Sequence, residues 1–98
     1  MKLDLSLNNS ALYAGCDIEE VAGKLNLKTL PAEAVQIVGR NVNQWVQSLP
    51  VGSRDEVVLS GPMAIWSYLV VFHAVVHAFR EVKYDDGRGN VVVVARHG

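Results

Sequence analysis

The chain has 98 residues, half of them hydrophobic and 19% charged, with 17 valines among them. That composition excludes a two-domain protein and an intrinsically disordered one. Nine basic against ten acidic residues, a net charge of −1, exclude the strongly basic surface of a protein that coats duplex nucleic acid, so no DNA partner is expected. A single domain spanning residues 1–98 buries a modest core, so association with a second copy is expected. One cysteine, Cys16, leaves no intramolecular disulfide, and Met1-Lys2-Leu3-Asp4 lacks the start of a signal peptide. Both point to the cytoplasm.

Leu3, Leu5 and Leu7 alternate with polar residues, which predicts a half-buried strand ending at the Asn8-Asn9-Ser10 turn. Asp17 stands where a helix N-cap would, and Ile18, Val21, Ala22 and Leu25 follow at helical spacing, predicting a short helix. Pro31 suits a first helical position, and Val35, Val38, Val42, Trp45, Val46 and Leu49 mark an amphipathic helix that Pro50 ends. After a loop at 51–54, Glu56 to Ser60 is a buried-strand run closed by Gly61. Pro62 to Phe79 reads as a helix without one charged residue, and Arg80 to Tyr84 alternates as a strand. The turn Asp85-Asp86-Gly87-Arg88-Gly89-Asn90 leads into Val91 to Ala95, whose unbroken valines predict a strand buried on both faces. The sum is a mixed α/β domain with a largely parallel sheet and a terminal hairpin. His73 and His77 within the apolar helix, and strands abutting it, favour burial in the domain or a dimer interface over a membrane span.

His73 and His77 lie four residues apart, so on a helix they share a face and can reach one metal ion or phosphate; they can equally be hydrogen-bonded core or interface residues. Ala74 replaces the glutamate that a zinc protease needs after its first histidine, which excludes that chemistry. Asp85, Asp86 and Arg88 sit on a glycine-flanked loop that reads either as an ordinary hairpin turn or, with the two histidines and His97, as part of a site. Ser60-Gly61-Pro62 joins a strand to a helix N-terminus, a place that suits an anion and is also a common tight turn. Trp45, Trp66 and Tyr68 read as core or interface aromatics rather than base-stacking platforms, and Cys16 as an incidental thiol.

The run Val57-Val58-Leu59-Ser60-Gly61, then Ile65-Trp66, the histidine-bearing helix, Tyr84-Asp85-Asp86-Gly87-Arg88 and the valine strand to His97 resembles the third family of CRISPR ring nucleases. In that family a helix histidine precedes an Asp-x-Arg motif by nine residues, and a second histidine follows its arginine by nine. Here His77 to Asp86 is nine and Arg88 to His97 is nine. The likeness covers Val57 to His97. Gly87 stands where the family usually has proline, and Asp85 supplies a second carboxylate that can align with the motif instead.

The resemblance implies a Rossmann-like, dimeric α/β domain that binds and degrades cyclic tetra-adenylate, a messenger of type III CRISPR defence, with manganese. Two dimers would sandwich one ligand, stack head to tail, and complete the site between them. His77, Asp86 and Arg88 would be catalytic, with His77 and Asp86 meeting Mn²⁺ or another divalent ion. Ser60, Gly61, His73, Arg88 and His97 would contact the ligand. A histidine and a carboxylate suit Mn²⁺, and an arginine can hold a phosphate bidentately. The alternative, from another class, is a sensor or buffer that binds the cyclic oligoadenylate without cleaving it.

Overall fold

In the computed structural model, which describes residues 1–97, the chain forms a four-stranded mixed sheet, a separate two-stranded hairpin and two helices. The sheet is built from β1 (Lys2–Asp4), β4 (Glu56–Ser60), β5 (Glu81–Asp85) and β6 (Val91–Arg96), side by side in that order. The first three run parallel and β6 returns antiparallel to β5. α1 (Pro31–Ser48) lies between β1 and β4 in the chain, and α2 (Ile65–Val76) between β4 and β5. The α/β class and the parallel sheet with a terminal hairpin are therefore as expected.

Leu3, Val57, Leu59 and Val82 point from the sheet into a core completed by Val38, Val42 and Val46 of α1 and by Val71 and Val75 of α2, all buried. The helices approach closely because Gly39 has no side chain; a Cβ there would stand 3.3 Å from Val70. That contact is the structural reason for a glycine inside an otherwise strong helix. Tyr13 also enters the core, where its hydroxyl donates to the Leu5 carbonyl and lies 2.8 Å from the Ser67 hydroxyl. Two buried polar side chains thus satisfy each other and one backbone group. The opposite face of the sheet carries the ion pairs of Lys83 with Glu56 and Glu81, Arg96 with Glu81, and Lys2 with Asp85. Arg96 and Lys83 beside Glu81 hold its carboxyl below the usual range.

The structure corrects three expectations. Residues 18–27 form not a helix but an antiparallel hairpin, β2 (Ile18–Val21) and β3 (Lys24–Leu27), turned at Ala22 and Gly23, both with positive φ (53° and 78°). The apolar positions that fit helical spacing also fit this pairing, and Gly23 favours the turn. The charge-free segment from Pro62 is helical only over Ile65–Val76, because Gly61 leaves β4 at φ 101° and Ala64 is still extended. The third concerns β6: Val91, Val92, Val93 and Val94 are 43–54% exposed rather than buried on both faces. β6 is an edge strand of the sheet, with a neighbour on one side only, and its valines stay half open there.

Among the described residues, no helix is long and apolar enough to cross a membrane.

Candidate functional site

All three parallel strands point their carboxyl ends the same way, and that end gathers Ser60, Gly61, Asp85 and Asp86 around a hollow of about 500 Å³. Tyr68 of α2 and Tyr84 of β5 form its wall, packed edge to face with ring centres 5.5 Å apart. The Tyr68 hydroxyl donates to the Gly61 carbonyl at 2.6 Å. Burial, with Tyr84 and Asp4 nearby, pushes this phenol up to about 12, so it stays a donor over the physiological range. Gly61 itself lies against Asp4, where a Cβ would stand 2.3 Å from Oδ1. Ser60 and Gly61 therefore form a tight exit from β4 into the hollow, with Asp4 held in place by the Ser6 N–H and hydroxyl at 2.8 and 2.9 Å.

The turn beyond β5 is organised by its two aspartates. Asp86 Oδ1 accepts from the N–H groups of Arg88 (2.7 Å) and Asn90 (3.2 Å), and Asp86 Oδ2 accepts from the Asn90 side chain (3.0 Å). The Asn90 amide and the Arg88 N–H hold the Asp86 carboxyl below the usual aspartate range. Asp85 accepts from the Gly87 N–H at 2.9 Å and pairs with Lys2 at 3.5 Å. Arg88 is exposed, and no ion pair forms at its guanidinium among the described residues.

The histidines stand at the other end of the sheet. His77 caps the C-terminus of α2, with its ring centre 5.6 Å from that of His73 one turn earlier. His97 follows β6, and its backbone N–H donates to the Arg80 carbonyl at 2.6 Å. Together His77, Arg80 and His97 line a hollow of about 310 Å³. A second one, of about 320 Å³, continues past Arg80, Arg96 and His97 to Asp55, Glu56 and Glu81.

The chain thus brings His77 together with His97, and Asp86 together with Arg88, Ser60 and Gly61, but keeps the two groups apart. β5 runs from the histidine end at Glu81 to the carboxylate end at Asp85, which at about 3.3 Å per residue separates the groups by roughly 13 Å or more. His77 and Asp86 consequently do not fit one metal ion within a single chain. Among the described residues no three His, Cys, Asp or Glu side chains gather closely enough to hold an ion.

Tyr68 packs against the core, in line with its reading as a core or interface aromatic, and also borders the hollow; Tyr84 and Lys2, which line it too, were not among the expected site residues. Tyr84 could have been found from its place beside Asp85 at the end of a parallel strand, where ligands of α/β sheets collect. His73 is exposed on the outer side of α2, away from the Ser60 hollow. Set beside family models, curated proteins and solved structures, the chain matches none of them.

Proposed function

We propose that the protein is a ring nuclease with a Rossmann-like domain, acting on cyclic tetra-adenylate in the cytoplasm and turning it into linear oligoadenylates that no longer signal in type III CRISPR defence. The observation that supports this reading is the division of the motif. Two imidazoles lie at one end of the sheet, and a carboxylate-ordered turn presenting an arginine with no ion pair among the described residues lies at the other. A site assembled from both ends forms only between copies, which is how an enzyme of this kind would act as an oligomer.

In this reading Arg88 grips the scissile phosphate with its planar fork, while Asp86 holds the turn that aims it. His77 accepts the proton of a ribose 2′-hydroxyl, and the 2′-oxygen attacks the adjacent phosphorus. The bond to the 5′-oxygen breaks, and that oxygen takes up a proton from His97. The products carry a 2′,3′-cyclic phosphate at one end and a 5′-hydroxyl at the other. Ser60, Gly61 and the Tyr68–Tyr84 wall receive an adenosine of the ring, and a ligand with repeated faces draws dimers into head-to-tail stacks. If manganese is bound, as the resemblance implies, His77 of one chain and Asp86 of another would hold it in place of the proton-accepting role, since one chain alone does not fit it, and the ion would supply the charge that makes the 2′-hydroxyl more acidic.

Incubating the purified protein with cyclic oligoadenylates of different ring sizes, with and without Mn²⁺, tests this reading. Linear products from the four-membered ring are expected. Tight binding without products would make the protein a sensor or buffer, and neither binding nor products would end both readings.

A further inference from the structure

We propose that the β2–β3 hairpin is a hinged lid that closes over the hollow at the carboxyl end of the sheet, seating its apolar underside on Pro62 and Met63. This rests on the reading that a ligand enters beside Ser60 and Gly61, and it adds how that ligand is held and released.

The hairpin is bonded to itself and hardly to the body. It forms a two-stranded sheet of its own. Its root is closed by the Asp17 N–H, which donates to the Thr29 hydroxyl at 2.7 Å, and by the Lys28 N–H, which donates to the Asp17 carbonyl at 2.8 Å. Lys28 pairs with Glu19 at 3.5 Å, again within the hairpin. Among the described residues, no hydrogen bond or ion pair joins residues 17–29 to the four-stranded sheet or to either helix. Ile18, at the root, packs against the core and gives the hairpin a pivot. A segment tied to its body by so little opens and closes readily. The tip, by contrast, is stiff, because Ala22 and Gly23, with φ of 53° and 78°, make the tight turn that two-residue hairpin loops favour. The hairpin therefore swings as a unit.

Beneath it lies a gap with apolar walls. In the pairing of β2 with β3, Ile18 stands opposite Leu27 and Glu20 opposite Leu25, so Leu25 and Leu27 share one face of the hairpin with Ile18. Leu25, half-buried, borders a hollow of about 360 Å³ together with Leu7, Pro62 and Met63. Leu7 and Met63 pack against the core from below. Apolar side chains held across an open gap gain free energy by meeting, which gives the closed position its stability. Pro62 and Met63 also line the larger hollow of Ser60, Gly61 and Tyr68, so the two hollows form one trough. Seating Leu25 on Met63 shuts the hairpin end of that trough. The closed lid keeps water from the ligand and holds it in place while the reaction runs.

The test captures the closed lid. A chain carrying Cys16→Ser, Leu25→Cys and Met63→Cys is oxidised with diamide, and the disulfide is located by mass spectrometry of the linked peptides. The expected product joins 25 to 63 within one chain; a chain left unlinked, or linked only to a second copy, overturns the proposal. Neither replaced residue is fully buried, so folding survives. Calorimetry then compares the locked chain with the same chain after reduction. Locking should weaken the binding of cyclic tetra-adenylate about tenfold or more, because a ligand cannot enter a closed hollow, and equal affinity in the two forms overturns the lid. As a second measurement, Leu25→Asp puts a charge on the underside and should speed ligand release about tenfold; release at the wild-type rate overturns the proposal. The two failures are distinguishable. A chain that links, yet binds the ligand in neither form, keeps its lid and ends the nuclease reading. A wild-type chain that cuts the ligand, beside a variant that never links, ends the lid alone.

Discussion

The backbone N–H of His97 donates to the carbonyl of Arg80 at 2.6 Å, tying the end of β6 to the short connection that begins at His77. This single bond fixes two histidines, 20 residues apart in sequence, around one hollow. The turn ordered by Asp86, with Arg88, is held at the far end of the same hairpin.

Asp86 and Asp85 should separate cleanly. Asp86→Asn keeps an acceptor for the Arg88 N–H and should preserve the turn, yet should lower cleavage on the order of 100-fold. Asp86→Ala should lose both the activity and the order of residues 86–90, read from their amide signals by NMR. Asp85→Ala, which gives up only the Gly87 contact and the pair with Lys2, should change cleavage much less. The reverse ranking would move the functional carboxylate to Asp85.

The same turn should respond to pH. The Asp86 carboxyl titrates lower in the folded chain than when unfolded, so its stabilisation is full above the usual aspartate range and is lost as pH falls through its folded value. The amide signals of Arg88 and Asn90 should therefore broaden or shift as acid is added. Asp86→Asn should flatten that response, and an unchanged acid transition in this variant would place its origin elsewhere.

Arg88 separates binding from chemistry. Exposed on its turn, it adds little to folding, so Arg88→Ala should leave the melting temperature unchanged while weakening both ligand binding and cleavage. Arg88→Lys should fall between the two in affinity, because a point charge lacks the bidentate fork. His77→Ala should mainly stop cleavage. Calorimetry that finds full affinity in Arg88→Ala would reduce this residue to a solvated turn position.

Tyr13 tests the core. Tyr13→Phe removes the hydroxyl that joins Leu5 and Ser67, leaving two buried polar groups without a partner at a cost of about 1–3 kcal/mol. Chemical denaturation should show this loss, while Ser67→Ala in the same background should recover part of it. Gly61→Ala should be costlier than an ordinary loop change, since the residue sits at φ 101° and its new Cβ would collide with Asp4.

Much of this architecture is written locally. Pro31 and Pro50 bracket α1, and the apolar run between Arg54 and Gly61 marks β4. Residues 18–27 carry a misleading helical signal because Ile18, Val21, Ala22 and Leu25 satisfy a helical period by coincidence, while the deciding feature, a turn with two positive φ values, lies in a single Ala-Gly pair. The valines of β6 look like a doubly covered strand, and only tertiary placement makes them an edge. The spacing of the site residues is visible in the sequence, and it already carries a geometric consequence. Between Arg88 and His97 lies a six-residue strand, which at about 3.3 Å per residue must carry the two apart rather than together.

The central claim, a site shared between chains, is tested most directly by mixing two inactive variants. His77→Ala and Asp86→Asn are each purified, unfolded, combined in equal amounts and refolded, and cleavage of cyclic tetra-adenylate is measured with Mn²⁺ present. When copies meet at random, half of the contacts join unlike chains, and half of those set an intact His77 against an intact Asp86. The account predicts recovery of about a quarter of wild-type activity. A mixture as inactive as its parts would contradict it, placing His77 and Asp86 of the same chain in each working site.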